Sequence, residues 1–458
     1  MERTYAEYAA RQAMELLAID SPTGFTARAA DWVQRAFEEL GYTARHTAKG
    51  GVLVDLGGRG EGLLLEAHAD TLGGMVAEVK NSGRLRLTPL GGMRAENGEA
   101  ENVRVYTRGG RVLEGTFQLC NASIHVNGQY GDTKRTFDSC EVVLDEDVKS
   151  AEETRTLGVE VGDVVCFEPR TRLTASGYIK SRFLDDKLSA GMLLELARRL
   201  DRMAALPQNI LLVFQPAEET TGGARDLCQT GIFQEYGVEA IFGMHLWPDL
   251  PSGVIASRRN EMMSRSCEVS VTITGRSSHI AKAEEGLDAL AAGVEFYRRA
   301  VALEKELSPD IYRLLKFGRM ESGTVRNAVS GKTVLLGSLR AFQDEVFFGL
   351  QEGLRAIGRD IEKETGCTVD VHANDGYPAV WNPDELFDRV RNAGVDFEIL
   401  DKPVMISEDF SWYQRHLPAL FFFLGCGPAP ALHADDFTFD ESILTVGADF
   451  WKKIAAKL

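Results

Sequence analysis

Four strongly apolar runs in this chain stop at a histidine or a glutamate. "GLLLEAHAD" closes on His68, "NILLVFQPAEE" on Glu219 and "EAIFGMH" on His245, while "ALFFFLGCG" leads through a short Gly/Pro-rich loop to His433. Continuous rather than alternating apolar positions predict strands buried on both faces, as in a parallel sheet covered by helices. The carboxyl edge of such a sheet is where open α/β folds place ligands. A helical pattern, "DDKLSAGMLLELARRL", starts at Asp185.

The spacing of these runs predicts an α/β fold, a mixed but mostly parallel sheet flanked by helices, interrupted twice. Between His68 and Asp185 lie more residues than one crossover needs, and stretches such as "NVRVYTRGGRVLEGTFQL" and "VGDVVCFEP" are rich in Gly and β-branched residues. They predict a small inserted β-barrel over residues 78–176. The gap from His245 to His433 holds strand "CEVSVTITG", helix "GLDALAAGVEFYRRAVALEKEL", strands "RMESGTV" and "KTVLLGSLRAF", helix "DEVFFGLQEGLRAIGRDIEKETG" and strand "TVDVHAND". The order β-α-β-β-α-β is that of a ferredoxin-like sandwich, expected over 263–377. Residues 1–77, 177–262 and 378–458 then form the catalytic domain.

With 458 residues, 44% hydrophobic and 26% charged, the chain is long enough for two or three ordinary globular domains. A net charge of −17, with no basic patch to offset it, argues against a nucleic-acid partner. The opening "MERTYAEYAARQAMELLAID" carries charges throughout and reads as an amphipathic helix rather than a signal peptide. No stretch approaches the ~20 apolar residues of a membrane span. Seven dispersed cysteines without a C-x-x-C suggest reduced thiols and a cytoplasmic protein.

Taken singly, a histidine at a strand end is more often a hydrogen-bonded core residue than a ligand, and a Glu-Glu pair more often a solvated helix face. Taken together, His68, Asp185, Glu219, His245 and His433 are the residue types, in the order, that a two-metal site needs. Imidazole and carboxylate ligands with one shared carboxylate suit zinc, cobalt or manganese rather than calcium. Glu218, beside the ligand Glu219, is placed to act as general base towards a water whose pKa two divalent ions lower to roughly 7. Asp70, two residues past His68, can take the remaining ring N–H and fix its tautomer. His46, His372 and His416 have no such setting and read as surface or structural residues.

At these residues the chain resembles the co-catalytic zinc peptidases of the aminoacylase and carboxypeptidase type, in two branches. From about 211 to 458 it resembles the bacterial amidohydrolases, through "FQPAEETTGGA", "IFGMHLWPDLPSG", "GRSSHIAKAEEGLDAL", "SGTVRNAVSG", "GSLRAF", "ISEDFSWY", "FFFLG" and "ALHADDFTFDES". From about 21 to 200 it resembles the glutamyl-aminopeptidases, through "SPTGFTARAADWVQRAFEELGY", "AHADTLGGMVAEV", "AEETRTLGVEVGDVVCFEP" and "FLDDK". It departs from each. The amidohydrolase branch has a Cys-Gly-His-Asp cluster where this chain has "LDDK", so the bridging ligand here is expected to be Asp185. The aminopeptidase branch has Asp where this chain has His245. Every ligand slot is nevertheless filled once.

The resemblance implies a barrel insert, a lid used in dimerisation, and further roles. His279 in "GRSSHIAKA" matches a histidine that stabilises the tetrahedral oxyanion, often in a partner subunit's site. Asn327 and Arg340 match positions that hold a substrate carboxylate or neighbouring carbonyl, although Arg340 reads equally well as a solvated strand residue. Glu408 and Asp409 in "SEDF" read as support for the metal shell, and His125 is left without a role. The expectation is a cytoplasmic, homo-oligomeric hydrolase holding two divalent ions, with zinc favoured. It cleaves a terminal amide of a small N-acyl amino acid or short peptide. Three alternatives stand beside it: an aminopeptidase, an inactive binding protein of the same fold, and a structural oligomer stapled by its metals.

Overall fold

The run "GLLLEAH" forms the strand Gly62–His68 with every residue buried, and "ALFFFLGCG" forms Ala419–Gly427, again buried throughout. Such strands can exist only at the centre of a sheet with both faces covered. The structure is a computed structural model and describes residues 7–200, 206–220, 222–430, 432 and 437–458. The chain divides into two compact units: residues up to Ala256 with Asp388–Glu398 and Leu417–Leu458, and Ser257–Phe387 with Ile399–His416.

In the first unit the main sheet runs, in spatial order, Thr43–His46, Val52–Gly57, Asn209–Gln215, Gly62–His68, Val238–Pro251, Ala419–Gly427 and Ile255–Ser257, with Glu398–Ile399 at the far edge. The four central strands are parallel, and the flanking pairs are antiparallel. The helices Glu7–Leu17, Lys187–Leu200 and Ile443–Lys457 pack beside one another. Gly191 permits the first crossing, because a Cβ there would lie 2.6 Å from the Ala9 carbonyl oxygen.

Two sequence expectations shift locally. Asp185 does not begin the helix, which starts at Lys187. His245 does not end its strand, which continues to Pro251 because Leu246 and Trp247 still pair with Leu424 and Gly425, and Trp247 stacks on Phe423 with ring centroids 4.7 Å apart.

The insert is a closed six-stranded barrel of Gly73–Val79, Leu85–Leu90, Cys140–Leu144, Val112–Leu119, Glu101–Tyr106 and Val164–Phe167. Alternating burial along Val112–Leu119 turns Leu113, Phe117 and Leu119 inward, where Phe117 meets the edge of Phe167 at 5.4 Å. Closure removes the free edges that a small open sheet would expose.

In the second unit Arg265–Thr274, Ala289–Glu306, Arg313–Ser322, Lys332–Ala341, Asp344–Thr365 and Thr368–Ala373 follow one another as strand, helix, strand, strand, helix, strand. The four strands form an antiparallel sheet in the order Arg313–Ser322, Lys332–Ala341, Arg265–Thr274, Thr368–Ala373. Val269, Val271 and Ile273 share one core with Phe296 and Phe347 from the helices. Asp288 caps the first helix by accepting the N–H groups of Leu290 and Ala291. Among the described residues no helix is long and apolar enough to cross a membrane.

Candidate metal centre

The parallel core delivers His68 and His245 to one end of the sheet. His68 is the last residue of its strand, level with Gln215 on the neighbouring strand, and is almost fully buried. Asp185 comes from the segment leading into Lys187–Leu200, and its peptide bond to Asp186 is cis. That segment is tied down on both sides. The Ser189 hydroxyl donates to Asp186 at 2.6 Å, and the buried Lys187 ammonium donates to the carbonyls of Leu16 and Ile19 at 3.0 and 2.8 Å.

One oxygen of Asp185 is the focus. Its Oδ1 lies 2.8 Å from His245 Nε2 and 3.1 Å from His68 Nε2, and the three ligand atoms all fall within 4.8 Å of one another. His245 Nδ1 is 3.0 Å from the Leu246 carbonyl, which fixes the ring with Nε2 towards Asp185. His68 Nδ1 is buried without a hydrogen-bond partner, since Asp70 Oδ1 sits 3.4 Å away in ion-pair reach but not aligned for one. Asp70 instead accepts the backbone N–H groups of Glu218 at 2.9 Å and Glu219 at 3.2 Å, and the hydroxyl of Thr23 at 2.6 Å.

The electrostatics are those of a cation-binding pocket. Burial works against charge on both histidines, yet Asp185 outweighs it. His245 is pushed up to about 10, and His68, with Asp70 also nearby, stands well above the usual imidazole range. Burial likewise opposes charge on Asp185, but the two imidazoles hold its carboxyl well below the carboxylate range. Glu219 is pushed up to about 7, first by burial and then by the charge of Asp185. Several carboxylates and imidazoles drawn together in so dry a place are a donor set that fits divalent ions.

Glu218 and Glu219 sit past the strand end at Gln215, in the turn before the short helix Gly223–Cys228. Gly223 lets the chain turn back there, since a Cβ would lie 2.4 Å from Gln215 Oε1. His433 lies outside the described residues. In the second unit His279 is exposed and caps the 3-10 turn Ile280–Glu285, its Nδ1 accepting the N–H of Ala281 at 3.1 Å. The exposed Asn327 is brought beside it, because Ile280 N–H donates to the Asn327 carbonyl at 3.0 Å. Arg340 is half-buried, with its guanidinium donating to the Met405 carbonyl and Nε 3.5 Å from the Ser338 hydroxyl. Glu408 and Asp409 belong to the same unit, at the start of the 3-10 segment Asp409–Arg415. Sequence reasoning missed Thr23 and Lys187. Thr23 lies in "SPTGF", a motif of the aminopeptidase resemblance that carries no local signal of a contact 47 positions away.

The fold and site define an α/β protein with a candidate metal centre at the carboxyl edge of its central strands. The chain belongs to peptidase family M20/M25/M40, whose sequence model matches residues 162–457. Residues 50–236 also match the M42 glutamyl aminopeptidase family. The chain is 34% identical over 247 residues to an N-acetyldiaminopimelate deacetylase of Lacticaseibacillus casei, spanning 52% of this chain and 64% of that relative. It is 39% identical over 188 residues to YhfE of Bacillus subtilis, which carries an aminopeptidase name, spanning 41% of this chain and 54% of YhfE. The chain therefore spans less than two thirds of the length of these curated relatives.

Among solved structures it is similar to YXEP of Bacillus subtilis, a dinuclear metal binding peptidase of the M20 family, with TM-score 0.61, 19% identity and coverage of 98% and 96% of the two chains. It is also similar to the TET1 peptidase of Pyrococcus horikoshii, which can assemble into a tetrahedron or a large octahedral shell, with TM-score 0.60, 15% identity and coverage of 98% and 100%. At these identities the likeness establishes the fold.

Proposed function

We propose that this chain is a metal-dependent hydrolase that cleaves a terminal amide bond of a small N-acyl amino acid or short peptide. The observation that carries the reading is the convergence of His68 Nε2 and His245 Nε2 on Asp185 Oδ1, with Glu218 in the adjoining turn. The residues that would hold two divalent ions are His68, Asp185, Glu219, His245 and His433, with Asp185 as the ligand they would share. Two divalent ions bound there, zinc by preference and cobalt or manganese otherwise, would supply a Lewis acid for the carbonyl and would lower the pKa of water.

The chain's own residues do the rest. Glu218 accepts a proton from the attacking water and returns it to the leaving nitrogen. His279 donates to the oxyanion as the carbonyl carbon becomes tetrahedral. Asn327 and Arg340 hold the substrate carboxylate, for which a guanidinium offers a matched pair of donors. Residues 1–77, 177–262 and 378–458 serve as the catalytic domain and 78–176 as the barrel insert. Residues 263–377 serve as a ferredoxin-like lid, in a cytoplasmic homo-oligomer with neither nucleic acid nor membrane as partner.

A second reading, removal of N-terminal residues from peptides, is favoured by the aminopeptidase match over 50–236. One panel separates them: the zinc-, cobalt- and manganese-loaded protein assayed for amine release from N-acyl amino acids, dipeptides and aminoacyl anilides. Turnover of N-acyl amino acids supports the first reading. Turnover confined to free-amino substrates replaces it with the second, and no turnover with any metal leaves a binding protein.

A further inference from the structure

Glu218 and Glu219 are carried by a turn rather than by a strand or helix, and a turn needs something to hold it. Asp70 supplies the hold, since its two oxygens take the backbone N–H groups of both glutamates. Asp70 is fully buried, and a buried carboxylate is stable only when donors surround it. Both of those donors come from the turn itself, so they let the carboxylate and the turn swing together. Thr23 donates from elsewhere in the fold, its hydroxyl reaching Oδ2 at 2.6 Å.

Thr23 is itself anchored. The segment Ser21–Thr23 lies along Ala69–Thr71, with Pro22 bridging to Thr71 in parallel fashion. Thr71 N–H donates to the Ser21 carbonyl at 2.9 Å, Thr23 N–H to the Thr71 carbonyl at 3.0 Å, and the Ser21 hydroxyl to the Ala69 carbonyl at 2.8 Å. One residue upstream, the buried Asp20 accepts Nε and Nη2 of Arg104 at 2.6 Å each and the hydroxyl of Tyr106 at 2.6 Å. Arg104 and Tyr106 belong to the barrel strand Glu101–Tyr106.

We infer that Thr23 is a positioning residue for the proposed hydrolytic site. Its hydroxyl fixes the orientation of Asp70, Asp70 fixes the backbone of Glu218 and Glu219, and the barrel steadies the clamp through Arg104 and Asp20. The inserted barrel thereby acts on the chemistry without touching the substrate. The inference rests on Glu218 being the general base.

The test uses the full-length, metal-loaded protein with Thr23→Val, which keeps the shape and removes the donor, and Thr23→Ser, which restores the donor. Thr23→Ala replaces the valine variant should that one not fold. Because a misplacement of ~1 Å can cost ~100-fold in rate, Thr23→Val is expected to lower kcat by about ten- to a hundredfold. Its KM should stay within about twofold, since substrate contacts are untouched. Metal content is unchanged, and Thr23→Ser recovers most of the rate. Arg104→Gln, which frees the clamp from the barrel, lowers kcat in the same direction by a smaller factor.

A second readout needs no turnover. Hydrogen exchange at the Glu218 and Glu219 amides is faster in Thr23→Val and normal in Thr23→Ser. Wild-type kcat and wild-type exchange in Thr23→Val overturn the inference. So does a loss shared equally by Thr23→Ser together with early melting, which marks a residue needed only for folding. A fully active Glu218→Ala protein overturns the general-base role of Glu218 instead, and the exchange rates then decide the clamp on their own.

Discussion

Asp185 Oδ1 stands 2.8 Å from His245 Nε2, although the two residues are 60 positions apart in the chain. One comes from the segment leading into a helix and the other from the middle of a strand. Their approach, with His68 Nε2 3.1 Å from the same oxygen, couples the protonation of both rings to one carboxylate.

His245 is raised to about 10 and His68 well above its usual range when only Asp185 and its neighbours face them, whereas an unfolded histidine titrates near 6.5. A raised folded-state pKa stabilises the metal-free fold fully below about pH 6.5, and that contribution disappears as pH climbs towards about 10. Metal ligation requires the neutral ring. Binding of zinc at pH 7.5 is therefore expected to release at least one proton per chain, visible in calorimetry as a heat that depends on the buffer's ionisation enthalpy. A buffer-independent heat would show that both rings are already neutral. Thermal unfolding of the metal-free protein should likewise show a midpoint that falls between pH 7 and pH 10.

Replacing Glu218 with Ala should reduce kcat by several orders of magnitude while the protein keeps about two ions per chain, because the proton acceptor is lost and the ligands remain. Elemental analysis alongside the assay checks both halves. Loss of metal in step with activity would make Glu218 a ligand rather than a base. Chelator treatment of the wild-type protein should abolish activity, and zinc, cobalt or manganese should restore it.

His279 is exposed within its own unit, on a turn held by Asn327. If it serves a neighbouring subunit's site, His279→Ala and Glu218→Ala proteins are each nearly inactive. Their mixed and reassociated dimers then recover up to about a quarter of the sites, since one pairing in four joins both intact groups. Absence of recovery in an oligomer shown to be mixed places His279 in its own subunit's site or outside any site.

Arg340 already spends part of its guanidinium on the Met405 carbonyl. A bidentate contact to a desolvated carboxylate that is lost costs on the order of 3 kcal/mol, or roughly a hundredfold in catalytic efficiency. Arg340→Met is expected to lower kcat/KM by up to that factor for substrates with a free carboxylate, and to leave their amidated analogues nearly unaffected. Equal effects on both would mean that Arg340 supports the Met405 segment rather than reading the substrate.

Much of the architecture was legible in the one-dimensional pattern. Short continuous apolar runs bounded by turn residues favour central parallel strands, which puts His68 at a strand end from the sequence alone. The Gly- and β-branched-rich stretch that includes Val112–Leu119 signals the barrel strands, and "DEVFFGLQEGLRAIGRDIEKETG" the helix Asp344–Thr365. These are local consequences of hydrophobic burial, and sequence order records them directly. Where an apolar run continues past a polar residue, as at His245, local pattern gives the wrong end point, because pairing with Leu424 and Gly425 extends the strand.

What only the tertiary structure decided is which oxygen each donor meets. Asp70 stays in ion-pair reach of the His68 ring, two residues away, but its oxygens also accept the Glu218 and Glu219 amides and the Thr23 hydroxyl, groups that are 148, 149 and 47 positions distant and that no local pattern announces. Lys187 sits in the helical pattern that begins at Asp185, yet its ammonium is buried against the carbonyls of Leu16, in the last turn of Glu7–Leu17, and of Ile19 just beyond it, where burial lowers it to about 7. Hydrogen bonds are short and directional, so a shift of an ångström exchanges one partner for another. Hydrophobic burial tolerates such shifts, which is why the chain's pattern specifies the layers of the fold and leaves the wiring of its polar centre to packing in three dimensions.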